Sequence, residues 1–237
     1  RADSAITSAL PDEFDFDEIF KDADLFHVSG ITPVLSEEAK ELTFAALKKA
    51  KEHHVKISFD LNYRSKLWTS GVEEKQKMLS EMMEYVDICF GNARDAAKCL
   101  GYSEAGIDFI NGDYSICIDE EHMRNVLNHY HFSHLITTLR NSISASDNGW
   151  SGAVCTSDDY YKGRDYMLHI VDRVGGGDSF ASGFLHGILS DMGSRKSLEF
   201  GLASAAIKHT IPGDLNYINE SEVLAMVESD GAGRVQR

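Results

Sequence analysis

Apolar positions along the chain follow two alternating rhythms. Short runs of consecutive or every-second apolar residues are strand-like; longer stretches with apolar residues every three or four positions are helix-like. Leu25 to Ser29 reads as a strand. Ser36 stands as a helix N-cap, with Glu37 and Glu38 in the first turn, where carboxylates favour the positive end of the helix dipole. Ala39, Leu42, Ala46, Leu47 and Ala50 then give that helix one apolar face. Val55 to Leu61 is the next strand, rich in Val, Ile and Phe. Met78, Leu79, Met82, Met83 and Val86 mark a helix running into a strand from Val86 to Phe90. A short helix from Ala93 to Leu100 ends at Gly101. Tyr102 to Cys117 has weak periodicity and reads as an excursion or long loop. A helix from Glu120 to His129 and strands at His134 to Leu139, Trp150 to Cys155 and Met167 to Val171 follow. From Asp178 the pattern is helical almost to the end: Phe180 to Leu189, Leu198 to His209 and Glu220 to Val227.

Strands alternating with helices predict β-α-β units and a mainly parallel central sheet flanked by helices on both faces. No internal repeat and no Pro/Gly/Ser linker interrupts the pattern, so it predicts one α/β domain. Ligands of such sheets lie at the carboxyl ends of the strands, which directs attention to the loops that follow them.

Composition narrows the function classes. The 237 residues are 43% hydrophobic and 26% charged, which excludes disordered and low-complexity chains. The net charge of −15 leaves no basic surface to replace the counterions of a nucleic acid. No apolar run approaches the roughly 20 residues of a membrane span. Arg1-Ala2-Asp3-Ser4 is unlike a secretory signal, and Cys89, Cys99, Cys117 and Cys155 form no C-x-x-C pair. Buried reduced thiols in a cytoplasmic protein are the expectation. His122, His129, His131 and His134 match no zinc spacing, and Met78, Met82 and Met83 read as core packing.

The sharpest local signal is Asp172-Arg173-Val174-Gly175-Gly176-Gly177-Asp178-Ser179-Phe180, placed after a strand and before a helix. Three glycines allow positive φ and let backbone N–H groups converge on an anion, and the following helix adds the positive end of its dipole. Asp178 at that terminus is an ionised carboxylate beside a phosphate cradle. A capped glycine turn with a helix-starting aspartate is the plainer alternative. The run is neither a Walker A loop nor a dinucleotide fingerprint, since it lacks G-K-[ST] and has Phe180 where the third glycine would stand.

Asp172 to Phe180 resembles the D-T-x-G-A-G-D-x-F signature of the ribokinase-like (PfkB) carbohydrate kinases, with Arg173 and Val174 after the first Asp and Gly176 in place of Ala. Phe26 to Thr32, Phe59-Asp60-Leu61-Asn62-Tyr63-Arg64 with Leu67-Trp68, Thr138-Leu139-Arg140, and Lys208 to Asp214 are similar to segments of the 2-keto-3-deoxygluconate kinases. The resemblance covers essentially the whole chain and implies a ribokinase-like fold and ATP-dependent phosphorylation of that sugar acid, with Mg²⁺ accompanying ATP.

It also implies roles for residues. Asp178 would be the catalytic base, and Gly175, Gly176 and Gly177 the anion hole for the transferring phosphoryl group. Arg64 would contact the sugar acid, or bridge it and ATP; a surface ion pair is the plainer reading. Arg1 resembles a second substrate arginine, and Ile31, Asp172 and Asp214 fall on the substrate side, Asp214 being equally readable as a turn aspartate. Asn62 falls on the nucleotide side. Asn92 and Asp95 stand where the family has an N-x-x-E motif associated with Mg²⁺ and phosphate, and read otherwise as an ordinary helix start. Thr138, Arg140 and Ser142 close a strand where the family binds nucleotide, and Ala203 could lie against adenine or simply pack a helix. No direct protein ligand to a metal is expected.

By the same resemblance Arg1 aligns inside the kinase, beyond a first β-α-β unit and the lid strands, so those elements are expected to be missing from these residues. Such a stretch alone is expected to be weakly active at best. A neutral-sugar kinase such as a fructokinase or ribokinase, or a catalytically silent binding protein of the same fold, are the alternatives. Self-association is left open.

Overall fold

The computed structural model describes residues 3–112, 114–144 and 146–229. Its elements follow the two rhythms closely. α1 (Phe16–Phe20) precedes β1 (Leu25–Ser29), and α2 (Glu37–Glu52) is capped as expected, Ser36 Oγ accepting from Ala39 N at 3.0 Å. The apolar face Ala39, Leu42, Ala46, Leu47 and Ala50 is buried. β2 (Lys56–Asp60), α3 (Val72–Met82), β3 (Ile88–Phe90), α4 (Ala93–Leu100) and α5 (Glu120–Tyr130) continue the series. Met78, Met82 and Met83 are core residues, and all four cysteines are buried with no disulfide. Gly101 ends α4 in the left-handed region (φ 71°), where a side chain would be strained.

β4 (His134–Ser142), β5 (Asp147–Cys155), β6 (Tyr160–Lys162) and β7 (Tyr166–His169) follow, then α6 (Gly176–Leu189), α7 (Ser194–Lys208) and α8 (Glu220–Glu228). Strand order is β1-β2-β3-β4-β5-β6, with β7 paired to β5. β1 to β4 pair in parallel, whereas β7 runs antiparallel to β5, with Trp150 opposite Tyr166. The strands at 134 and 150 are longer than their apolar cores suggest. β6 is too short to show a period.

The chain separates into two compact units, Arg1–Ile136 with Cys155–Asp159 and Thr137–Val154 with Tyr160–Arg237. In the first unit the excursion after α4 is pinned rather than loose. The buried Arg94 side chain donates to the carbonyls of Phe109 (2.8 Å) and Gly112 (2.5 Å). Glu104 accepts from the Tyr102 hydroxyl (2.7 Å) and pairs with His122 Nδ1 (2.9 Å).

In the second unit α6 and α7 pack backbone to backbone. A Cβ on Gly183 would lie 2.9 Å from Gly201 Cα, and one on Gly187 would lie 2.8 Å from Ser197 Cα. Small residues on both faces therefore set the position of α6. Gly187→Ala is expected to lower the unfolding free energy by roughly 1–2 kcal/mol. Overpacking of about 1–3 kcal/mol exceeds the helix-propensity gain of up to about 1 kcal/mol. Urea unfolding measures it, and wild-type stability in the variant would mean that the two helices part without cost.

Candidate active site

In the second unit the segment between β7 and α6 is held from both ends. Val171 N and Asp172 N donate to the His209 carbonyl (2.9 and 3.2 Å). The Asp172 carboxylate accepts from Val174 N (3.0 Å) and Gly213 N (2.8 Å); these bonds, with a smaller contribution from the Lys208 charge, hold it below the usual carboxylate range. Gly175 turns the chain into the helix at φ 76°, and its carbonyl accepts from Ser179 N (2.8 Å).

The three glycines differ in what surrounds them. A Cβ at Gly175 would lie 2.7 Å from the Asp214 carbonyl oxygen, and one at Gly176 would lie 2.6 Å from His209 Cε1. One at Gly177 would meet nothing within 4 Å. The turn is thus pressed against protein at 175 and 176 and open at 177. The first N–H groups of α6 have no partner inside the helix, and the dipole adds positive potential. Asp178, third in α6, is exposed beside them. An anion cradle next to an accessible carboxylate suits phosphoryl transfer to a hydroxyl.

Cationic and aromatic groups back this turn. The Arg140 guanidinium lies 5.7 Å from the Trp150 ring centre, and partial desolvation and the charge of Arg173 lower its pKa. The Trp150 and His209 rings are 5.2 Å apart. His209 is fully buried, with Nδ1 2.6 Å from the Ala205 carbonyl. A carbonyl only accepts, so Nδ1 carries the proton and Nε2 the lone pair. Burial lowers the pKa of this ring, against the pull of the Ala205 carbonyl and with help from Arg140, Lys208 and Arg173, which keeps it neutral at pH 7. Thr138 is half-buried on β4, and Ser142 Oγ donates to Asn148 Oδ1 (3.0 Å). Ala203 has no exposed surface and is a packing position of α7. Asp214 is exposed, with Oδ1 3.2 Å from where a Gly175 Cβ would be.

In the first unit a second group of residues gathers where β1, β2 and β3 end, in the register Ser29–Asp60–Phe90. Asn62 takes a left-handed conformation (φ 45°), its N–H bonded to Asp60 Oδ1 (3.0 Å) and its Nδ2 to Ser29 Oγ (2.9 Å). Ser29 Oγ also accepts from Ile31 N (3.3 Å). Arg64 is exposed and donates through Nη1 to the Tyr63 carbonyl (3.0 Å), which leaves most of its five donors for an anion. Asn92 caps α4, Oδ1 accepting from Asp95 N (3.0 Å) while Asp95 Oδ2 accepts from Asn92 N (3.3 Å). Desolvation raises the pKa of Asp95, against the Asn92 N–H and the charges of Lys98, Arg94 and Arg64.

Residues 2–221 match the family described as "pfkB family carbohydrate kinase". This chain belongs to the pfkB family of carbohydrate kinases. It is 31% identical over 233 residues to a 2-dehydro-3-deoxygalactonokinase of Haloferax volcanii, covering 98% of this chain and 66% of the relative. It is 29% identical over 232 residues to a 5-dehydro-2-deoxygluconokinase of Bacillus licheniformis, covering 97% and 64%. The crystal structure of a 2-dehydro-3-deoxygluconokinase from Thermotoga maritima superposes with a TM-score of 0.87 at 40% identity, over 97% of this chain and 67% of that one. The fold is ribokinase-like α/β. The chain spans between about half and two thirds of the length of the curated relatives it matches.

Within this pfkB-family chain, Ile31, Asn62, Arg64, Asn92 and Asp95 lie at the strand ends of the first unit. Arg140, Asp172, Gly175, Gly176, Gly177, Asp178 and Asp214 lie around the α6 turn of the second. Arg1 lies outside the described residues. Arg94, Lys208 and His209 carry structural roles that their sequence neighbourhoods hide. A lysine directly after the small-residue run Leu202 to Ile207 was the available signal for Lys208.

Asp95→Asn keeps an acceptor for the Asn92 N–H and removes a desolvated charge. A carboxyl whose folded pKa is raised opposes folding most fully above that pKa, and the penalty fades as pH falls towards the unfolded value. The variant is expected to be more stable than wild type at pH 7, with the difference closing in acid. Thermal melts between pH 4 and 8 measure it; a gap that widened towards acid would reverse the assignment.

Proposed function

We propose that this protein transfers the γ-phosphoryl group of ATP to the terminal hydroxyl of 2-keto-3-deoxygluconate (2-dehydro-3-deoxygluconate), giving the 6-phosphate. The observation that carries this reading is the Gly175–Gly177 turn at the start of α6, closed behind by His209 and Asp214 and open beside the exposed Asp178. The 40% identity to a protein named for that substrate supports the choice of acceptor. The galactonate epimer is the second reading, supported by the Haloferax relative.

In this mechanism the Asp178 carboxylate takes the proton of the acceptor hydroxyl as its oxygen bonds to phosphorus and ADP departs. The N–H groups of Gly175 to Gly177 and the α6 dipole stabilise charge on the transferring group. Arg64 pairs with the sugar-acid carboxylate in a bidentate geometry that a lysine lacks, and Ile31, Asp172, Asp214 and Arg1 are the other substrate contacts that the family resemblance implies. Asn62, Asn92, Asp95, Thr138, Arg140 and Ser142 serve the nucleotide. Among the described residues no three acidic, histidine or cysteine side chains converge. Mg²⁺ accompanying ATP would be held by phosphate oxygens and water, with Asp95, at the motif position that the family resemblance associates with Mg²⁺, holding a metal-bound water. Bound there, Mg²⁺ neutralises phosphate charge. A cytoplasmic setting supplies ATP, and no helix among the described residues is long and apolar enough to cross a membrane.

A turnover assay over sugar acids and neutral sugars tests the reading; phosphorylation of fructose or ribose in preference to the sugar acids would replace it. Asp178→Asn is expected to lower kcat by roughly 10²–10⁴-fold with little change in ATP affinity. Near-full kcat in that variant would remove Asp178 from proton transfer.

Arg64→Ala is expected to weaken kcat/KM by about 1.5–3 kcal/mol for the sugar acid, the scale of hydrogen bonds to charged groups, and far less for a neutral analogue. Equal losses for both would move Arg64 to the nucleotide.

A further inference from the structure

The second unit contains a fully buried cation that the reaction as described does not use. Lys208, last in α7, is 0% exposed, and its Nζ donates to the carbonyls of Ile211 (3.1 Å) and Gly213 (2.8 Å). Among the described residues no carboxylate oxygen lies within ion-pair distance of it. Backbone dipoles therefore solvate the charge, at a desolvation cost that a neutral side chain would avoid. Its position explains what is gained. The carbonyl of Gly213 accepts from Lys208 while the N–H of the same residue donates to Asp172 Oδ2 (2.8 Å). Asp172 Oδ1 in turn accepts from Val174 N (3.0 Å), one residue before the Gly175 turn. Lys208 Cε would lie 3.4 Å from a Gly175 Cβ, so the lysine stem also packs under the turn. Gly213 holds this geometry at φ 85°, which favours glycine.

We propose that Lys208 is a positioning residue: its buried ammonium clamps the Ile211–Gly213 turn to Asp172 and so holds the Gly175–Gly177 cradle in place. Its contribution to turnover rests on the kinase reading of that cradle; the clamping of the loop does not. Lys208→Met keeps most of the packing and removes the charge. Lys208→Ala removes Cγ to Nζ, the atoms of a propylammonium ion.

Hydrogen–deuterium exchange resolved by peptide, with kcat and KM measured in parallel, tests this. Lys208→Met is expected to speed exchange across residues 171–177 by roughly 10- to 100-fold, or about 1.4–2.8 kcal/mol at 1.4 kcal/mol per decade. Strand β1 should exchange as in wild type. kcat should fall while KM for the sugar acid holds. Added propylammonium should restore protection and turnover to Lys208→Ala, and 1-propanol should not. Unchanged exchange across 171–177 in Lys208→Met would overturn the clamp, as would equal rescue by 1-propanol, which assigns the effect to packing. Should wild type phosphorylate nothing, the kinase reading falls, and the exchange data still decide the clamp.

Discussion

A backbone that leaves no room for side chains is the constraint on which the second unit depends. At Gly175 and Gly176 the space where a Cβ would sit is taken by Asp214 and His209, and at Gly183, Gly187 and Gly201 it is taken by the facing helix. Each contact brings main chain against main chain or ring. Together they fix where α6 begins, and hence where its first N–H groups lie, that of Gly176 directed at the Arg173 carbonyl (3.4 Å). An anion cradle works by preorganisation, because donors already in place need not reorganise as charge develops. The close packing of α6 on α7 and the orientation of the glycine turn are therefore one property.

Electrostatics around the cradle run against the charge of the whole chain. With a net charge of −15, the protein as a whole repels anions. Locally, Arg140, Arg173 and Lys208 gather near the turn; desolvation, with a smaller contribution from these neighbouring charges, lowers the pKa of Arg140 and His209. His209 stays neutral and serves as a wall. Asp172 stays ionised because backbone N–H groups hold it, and it ties two loops together. Asp178, third in α6, is exposed beside the turn.

The first unit reaches an ordered set of loops by a different device. Side-chain oxygens and amides bind the loops to one another directly: Ser29 to Ile31 and Asn62, Asp60 to Asn62, Asn92 to Asp95. The left-handed Asn62 turns the chain sharply after β2, a conformation in which asparagine is far less strained than a β-branched residue. Arg64 follows that turn with its guanidinium exposed. The capping box of Asn92 and Asp95 holds a carboxylate in a desolvated position, and the raised pKa of Asp95 is the cost of that placement.

Local pattern alone determined a great deal. The apolar face of α2, its Ser36 cap, the stop at Gly101 and the glycine turn before α6 are all encoded within a few residues, because caps, turns and helical faces are short-range features. The succession of strands and helices in turn implied a parallel sheet with candidate residues at strand ends. Tertiary structure decided what depends on contacts distant along the chain. Arg94, inside a helix-start motif, is spent on the carbonyls of Phe109 and Gly112; Ala203 is enclosed; Lys208 and His209, seen in the sequence only as a run before a Pro-Gly turn, are buried, the lysine on the carbonyls of Ile211 and Gly213 and the histidine ring against Gly176. β7 pairs antiparallel with β5, although its apolar residues are compatible with either direction. A sequence displays which side chains can bury or bond, but only the folded chain selects their partners, because burial and hydrogen bonding are settled by which surfaces meet.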